Sequence, residues 1–248
     1  MIWVPMRNMF LSASLCLVVG ACGTSGPLDP GSGDSTGSGT GTLVVNGNAA
    51  AQPNVPNATQ PSDFVTDFSV QITLNNVVIT TGTVTMTSSS GAVTLTFHPN
   101  QGAGGRWEGT GAGYNEVYQL DVISGPDTVR GVRVDGPDIH TFSVPLAGAV
   151  VDSTVALPLA WKRHSPADAA VLRVGDGGGG IGITIADTGS YMMAPASLNS
   201  SKDRAQTNII RLTRTNRVTP TGAAGGSELS VSIENSIDVV AQINPNAP

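Results

Sequence analysis

From Asp67 onward, apolar and polar residues alternate with a period of two. Phe68, Val70, Ile72 and Leu74 interleave with Ser69, Gln71 and Thr73, which predicts a strand with one buried face. Asn75-Asn76 suits a turn because Asn tolerates positive φ. A Thr/Val-rich strand over 77–87 follows, then a turn at Ser88–Gly91, then Val93, Leu95 and Phe97 in alternation. After a polar loop at 99–105 come alternating Tyr118, Leu120 and Val122, a turn at Ser124–Asp127, and a strand over Val129–Val134. The turn at Asp135–Asp138 leads to a strand over 139–144 that ends at Pro145. Upstream, Thr42–Gly47 forms a first strand, and Asn48–Ser62, interrupted by Pro53, Pro56 and Pro61, reads as an irregular surface loop. No helical period of useful length appears in this half.

The second half repeats the style. Val155, Leu157, Leu159 and Trp161 share one face, and Pro158 on the other indicates an edge or a bulge. Ala170, Leu172 and Val174 precede a Gly175–Gly180 turn, and Ile181, Ile183 and Ile185 alternate after it. A strand over Asn208–Val218 places Ile210 and Leu212 on one face. Leu229, Val231 and Ile233 form the next strand, and Ile237–Ile243 continues it past an expected bulge at Asn235-Ser236. Strands about every ten residues, punctuated by Gly, Pro, Asn and Asp, predict an all-β chain of sandwich or barrel type. The expected division is two β-sandwich domains, 43–145 and 146–248.

The N-terminus follows other rules. Phe10–Val19 is apolar except for Ser12 and Ser14, too short to span a bilayer and of the length of a signal-peptide core. Val19-Gly20-Ala21-Cys22 resembles the lipobox of bacterial lipoproteins: an aliphatic residue, two small residues and Cys. The resemblance implies a signal peptide over 1–21, cleavage before Cys22, a lipid on its sulfur and an acylated new N-terminus. It makes the membrane a partner through Cys22. Gly23, where an Asp would favour inner-membrane retention in enteric bacteria, directs the expectation to the outer membrane. Arg7 is the only basic residue of the leader, and Met6 is an alternative start to Met1. Residues 22–42, rich in Gly, Ser and Thr, read as a flexible tether.

Composition narrows the possibilities. Charged residues make up 12% of the chain and the net charge is −6, with no basic cluster to meet nucleic acid and only Lys162 and Lys202 as lysines. Of two cysteines, Cys16 leaves with the leader and Cys22 is the lipidation candidate, so no disulfide braces the mature domains. Each core must hold by burial alone.

The second half resembles fibronectin type III and related immunoglobulin-like domains, through an early Trp161, a strand ending Leu172-Arg173-Val174, and Leu198 ahead of the strand Thr207–Asn216. The first half resembles prealbumin-like and carboxypeptidase-regulatory-like sandwiches through Tyr118-Gln119-Leu120-Asp121-Val122. Both resemblances imply display and binding, although a fold does not fix a function.

Candidate chemistry is sparse. Asp187-Thr188-Gly189-Ser190 matches the core of the aspartic-protease motif, in which two Asp share a proton. Only one copy is present, so catalysis would require a dimer, and a turn is the plainer reading of Asp and Gly here. Asp187 to Tyr191 also fits the Asp-x-Gly-x-Tyr signature of the tyrosine corner, though Tyr191 stands early for it. Gly175–Gly180 lacks the helix and the Lys of a phosphate loop and reads as a hairpin tip. His98, His140 and His164 have no ligand-pair spacing, and Asp135 and Asp138 flank a turn Pro with too few oxygens for Ca²⁺. Trp107 beside Arg106 is the one candidate for stacking on a sugar. The expectation is a lipid-anchored, non-enzymatic envelope protein with a binding or structural display role. It has no cofactor, no metal and no nucleic-acid partner; other envelope proteins or glycans are the candidate ligands. The alternatives are a hydrolase acting through Asp187 and a carbohydrate-binding accessory module using Trp107.

The lipobox yields a direct prediction. Cys22→Ala should release the protein from membranes or stall its processing; intact mass of the wild-type protein without any acyl group would refute the anchor.

Overall fold

The structure is a computed structural model that describes residues 36–99, 104–175 and 182–245. The signal peptide, Cys22, most of the tether and the glycine-rich tip at 176–181 lie outside the described residues. In the first part of the chain the strands are β1 (Thr36–Gly39), β2 (Leu43–Pro53), β3 (Phe64–Leu74), β4 (Val77–Val78), β5 (Thr83–Ser88) and β6 (Gly91–Thr94). There follow β7 (Thr96–His98), β8 (Arg106–Ala112), β9 (Val117–Ser124), β10 (Asp127–Asp135), β11 (Thr141–Val144) and β12 (Ala149–Val151). The rest are β13 (Leu157–Lys162), β14 (Ala169–Gly175), β15 (Ile183–Ile185), β16 (Ser190–Met193), β17 (Gln206–Val218) and β18 (Glu228–Ala241). One 3-10 turn, Pro61–Asp63, interrupts this all-β, sandwich-like fold.

Among the described residues the strands form three sheets. One has the order β1-β10-β9-β5-β6, a second β11-β13-β16, and the large third β15-β14-β17-β18-β2-β3-β8-β7, with β12 beside β18 and β4 beside β3. Two hydrophobic cores result. The first holds Val45, Phe68, Ile72, Met86, Trp107, Tyr118 and Leu120; the second holds Phe142, Leu159, Trp161, Leu172, Ile210 and Leu212. The large sheet runs through both. Its strand β18 pairs in parallel with β2 from Glu228↔Asn46 to Ile233↔Ala51, and in parallel with β12 from Ala149↔Val239 to Val151↔Ala241. Leu229, Val231 and Ile233 therefore sit in the first core, and Ile237, Val239 and Ala241 in the second. A segment within 146–248 thus walls the core of the first half.

The bulge expected at Asn235-Ser236 is absent. β17 and β18 keep one register from Gln206↔Ala241 to Val218↔Leu229, so residue 235 falls in phase with 229, 231, 233, 237, 239 and 241. Asn235 faces inward, fully buried, between the two cores. Its side chain accepts from Ala58 N (3.0 Å) and donates to Ala58 O (2.8 Å) and His140 O (2.7 Å). Hydrogen bonds, in place of a backbone irregularity, accommodate the polar residue.

Two irregular expectations turn out ordered. Asn48–Pro53, read as loop, continues β2: Ala49 and Ala51 are buried opposite Phe68 and Thr66, small residues against larger ones. Thr36–Gly41, within the expected tether, packs against the first half, with β1 on the edge of β10. Glycine permits this. A Cβ on Gly39 would lie 2.3 Å from Thr128 O and 2.6 Å from Gly222 O, and Gly41 N donates to Gly222 O at 2.7 Å. The low side-chain volume that suggested a spacer is what lets the backbones meet.

Pro158 lies where β11 has already ended, at Val144↔Ala160, so its missing N–H costs β13 no bond on that side. The tyrosine-corner pattern has its bonding at another Tyr. The hydroxyl of Tyr118, near the start of β9, accepts from Asn115 N three residues upstream (2.9 Å). Tyr191 only packs partly buried against the second core.

Trp161 is 4% exposed in that core. Trp161→Ala should cost about 3–5 kcal/mol, as large aromatic truncations do, and reductant should leave stability unchanged. A urea transition for the variant that overlaps wild type would refute the assignment.

Candidate functional site

The polar seam at Asn235 extends into a charged cluster. On β17 the inward phase runs Asn208, Ile210, Leu212, Arg214, and Arg214 is fully buried. Its Nε donates to Asp187 Oδ2 at 2.9 Å, Nη1 to Asp138 O at 2.7 Å and Nη2 to Asp138 Oδ1 at 3.3 Å. Nη2 also donates to Ser165 O. One guanidinium thus ties together the β10–β11, β13–β14 and β15–β16 connections. A buried cation needs this many partners, because desolvation otherwise exceeds its Coulomb gain.

Asp187, the candidate catalytic acid, is committed to the cluster. Oδ1 accepts from Trp161 Nε1 at 3.0 Å, Oδ2 from Ala167 N at 2.8 Å, and Arg163 Nε stands 3.6 Å from Oδ1. Burial pushes its pKa upward, but the Ala167 and Trp161 N–H groups and the Arg214 charge outweigh it and hold the carboxyl below the ordinary Asp range. The plain turn reading therefore needs correction. Asp187 does accept a backbone N–H, and it is also the counter-ion of Arg214.

Asp138 behaves likewise. Burial alone would raise its pKa; bonds from His164 N (2.7 Å) and Ser165 N (3.2 Å), with Arg214, lower it. His140, fully buried, has its Nε2 3.0 Å from Leu212 O. Burial first and the Arg214 charge second push its pKa down to about 3, so the ring is neutral and Nε2 carries the proton donated to Leu212 O.

Above the cluster, where the two halves meet, lies an open groove of about 700 Å³ lined by Thr59, Glu116, Asp135, Asp138, His164 and Asn216 among others. Asp135 pairs with Arg133 at 2.8 Å, and Asn216 Nδ2 donates to Asp135 O at 2.9 Å. The Glu116 pKa is raised, by burial first and then by the like charges of Asp138 and Asp135, with His164 acting against them. Gly136 forms the groove wall because a Cβ there would fall 2.4 Å from the Tyr114 hydroxyl and 2.6 Å from a Val231 methyl. This arrangement presents the carboxylates of Glu116, Asp135 and Asp138 beside the His164 imidazole, with Asp135 and Asp138 already paired to Arg133 and Arg214.

The remaining candidates scatter. Trp107 is 6% exposed, its Nε1 donates to Ile79 O at 3.0 Å and its ring packs edge-on against Phe97, so no face is open to a sugar. His98 stands on β7, remote in sequence from the groove, and Asp135 and Asp138 share the groove but serve different cations. No group of three or more His, Cys, Asp or Glu positioned for a metal occurs among the described residues. Cys22 lies outside them. Sequence reasoning missed Arg214 and Glu116. The signal for Arg214 was present: it falls in the inward phase of Ile210 and Leu212. Glu116, in the loop before β9, had none. No protein-family model matches the chain, and no curated protein matches it.

His140 sets a pH dependence. Its folded pKa is depressed, so the unfolded chain binds the extra proton between its ordinary value of about 6.5 and the folded value of about 3. Stability should be complete above about pH 6.5 and fall as pH drops through that window. His140→Gln should flatten this limb in urea midpoints measured from pH 7 to 4; an unchanged slope would refute the buried neutral imidazole.

Proposed function

We propose that the protein is a lipid-anchored component of the bacterial envelope, held in the outer membrane through Cys22, with a non-enzymatic binding or display role. The observation that carries the non-enzymatic part is the bonding of Asp187. Trp161, Ala167 and Arg214 bind both carboxylate oxygens, the side chain is almost wholly buried, and the adjacent guanidinium lowers its basicity, all of which count against Asp187 as a water-activating base. The lipobox and the glycine-rich tract behind it support the anchor.

An immunoglobulin-like or prealbumin-like origin for the first half is supported by the Tyr118 corner and by the position of that Tyr at the start of an inner strand. A fibronectin-like origin for the second half is supported by Trp161 and Leu198, both buried in its core. The parallel pairing of β18 with β2 makes the two halves one display unit.

In this reading the groove between the halves receives a cationic group of the partner. Glu116 carries the argument: its carboxyl is crowded by Asp135 and Asp138, and a positive ligand relieves that crowding. Calorimetric titration with a short oligolysine peptide at low salt is expected to give binding that weakens about tenfold, or 1.4 kcal/mol, in Glu116→Gln. No heat, or equal affinity in the variant, would remove the groove from the proposal and leave the anchor to its own mass-spectrometric test. A glycan screen of the same protein tests the other partner class.

A further inference from the structure

The first core is incompletely filled at one end. Between its sheets, under the β5–β6 turn, lies a cavity of about 140 Å³, separate from the groove between the halves. Phe68, Met86, Val93 and Tyr118 form its walls with the backbone of 111–113. The space traces to β8. Trp107 fills its inward position on that strand, but the next two inward positions are Gly109 and Gly111. Leu95 occupies the room left at Gly109, where a Cβ would lie 2.8 Å from its δ-carbon. At Gly111 a Cβ would meet the Phe68 ring at 3.1 Å and Val93 only at 3.9 Å, and the volume beyond it stays open. Protein cores seldom leave such space, since each missing contact forfeits dispersion energy.

The mouth is polar. The Ser88 and Ser90 hydroxyls are 2.9 Å apart, Asn115 Nδ2 donates to Ser90 Oγ at 3.0 Å, and Ser89 Oγ donates to Asn115 Oδ1 at 2.6 Å. Deeper in, the polar atoms are already satisfied. Thr66 Oγ1 donates to Gly113 O at 2.6 Å and stands 3.2 Å from the Tyr118 hydroxyl, which accepts from Asn115 N. Among the described residues no Asp, Glu, Lys, Arg or His lines the cavity. A charged guest would enter without a counter-ion, at a cost no wall group offsets. An apolar protein cavity of about 150 Å³ admits a molecule the size of benzene.

We propose that this cavity is a binding site for a compact neutral molecule with a ring-sized apolar body and one hydrogen-bonding head. The body lies against Phe68, Met86 and Val93; the head takes its bonds from Ser88, Ser90 and Asn115 at the mouth.

Phenol is a suitable probe, with benzoate as a charged molecule of similar size and toluene as one without the head. In methyl NMR of the full-length protein, phenol is expected to shift the Met86 and Val93 methyls saturably and to give intermolecular Overhauser contacts to Met86, whereas benzoate does neither. Gly111→Val, which fills the space, should weaken phenol binding at least tenfold. Because that change crowds Phe68, Ser90→Ala at the exposed mouth provides a second variant: it should weaken phenol severalfold and leave toluene unaffected. No saturable shift up to the solubility of phenol, equal binding of benzoate, or unchanged phenol affinity in both variants would overturn the proposal.

Discussion

The fold depends on one constraint: β18 is a single unbroken strand that must serve two hydrophobic cores. Its inward residues are apolar at both ends and polar in the middle, where Asn235 bonds to Ala58 and to the carbonyl of His140. A Leu at that position would extend the oil but leave buried N–H and C=O groups on two loops without partners, which costs more than the apolar contact returns. The neighbouring strand obeys the same logic. Arg214 on β17 lies in register with Ile233, one step from the Asn235 position, and binds three connections where the halves meet. The seam is therefore a strip of hydrogen bonds and charge between two greasy compartments. Asn57 extends it, its side chain pairing with both the N–H and the C=O of Phe142 in place of a neighbouring strand.

Such a seam confers specificity more than strength. Buried ion pairs are replaceable by apolar residues in energetic terms, but a polar register admits only one alignment of β17 on β18. A slip of two residues would keep every apolar side chain inside and would strand Arg214 away from Asp187 and Asp138. The described residues contain no cysteine, so among them that discrimination has to come from non-covalent contacts.

Much of this was legible from the period-two pattern. Phe68, Val70, Ile72, Leu120, Val122, Ile210, Leu212, Leu229 and Val231 are all buried where the alternation put them. Some of the departures share one physical cause, that hydropathy measures side chains while backbones do part of the packing. Ala49 and Ala51 fall in a stretch whose prolines suggest a loop, yet they are buried in a strand opposite Phe68 and Thr66. Gly39 looked like spacer and is held by close backbone contact. Asn235 suggests a bulge and Arg214 passes unremarked because a polar letter in an inward phase is ambiguous until its partners, 95 and 76 residues away for His140 and Asp138, are known. The groove was illegible for the same reason: Glu116, Asp135 and His164 come from three separate stretches of chain, the loop before β9, the end of β10 and the loop after β13.

The parallel pairing of β18 with β2 carries a consequence for how the chain reaches this state. Asn46 and Glu228 are joined across 182 residues of sequence. Synthesis delivers β2 well before β18, so one edge of β2 and one wall of each core wait until β18 has emerged. Closing so long a loop carries a modest entropic cost in stability but a large one in rate. Until β18 docks, the nascent chain carries an open β-edge next to apolar faces, the feature most prone to pairing with the wrong chain. The interval before β18 docks is therefore the stage at which this fold is most exposed to mispairing.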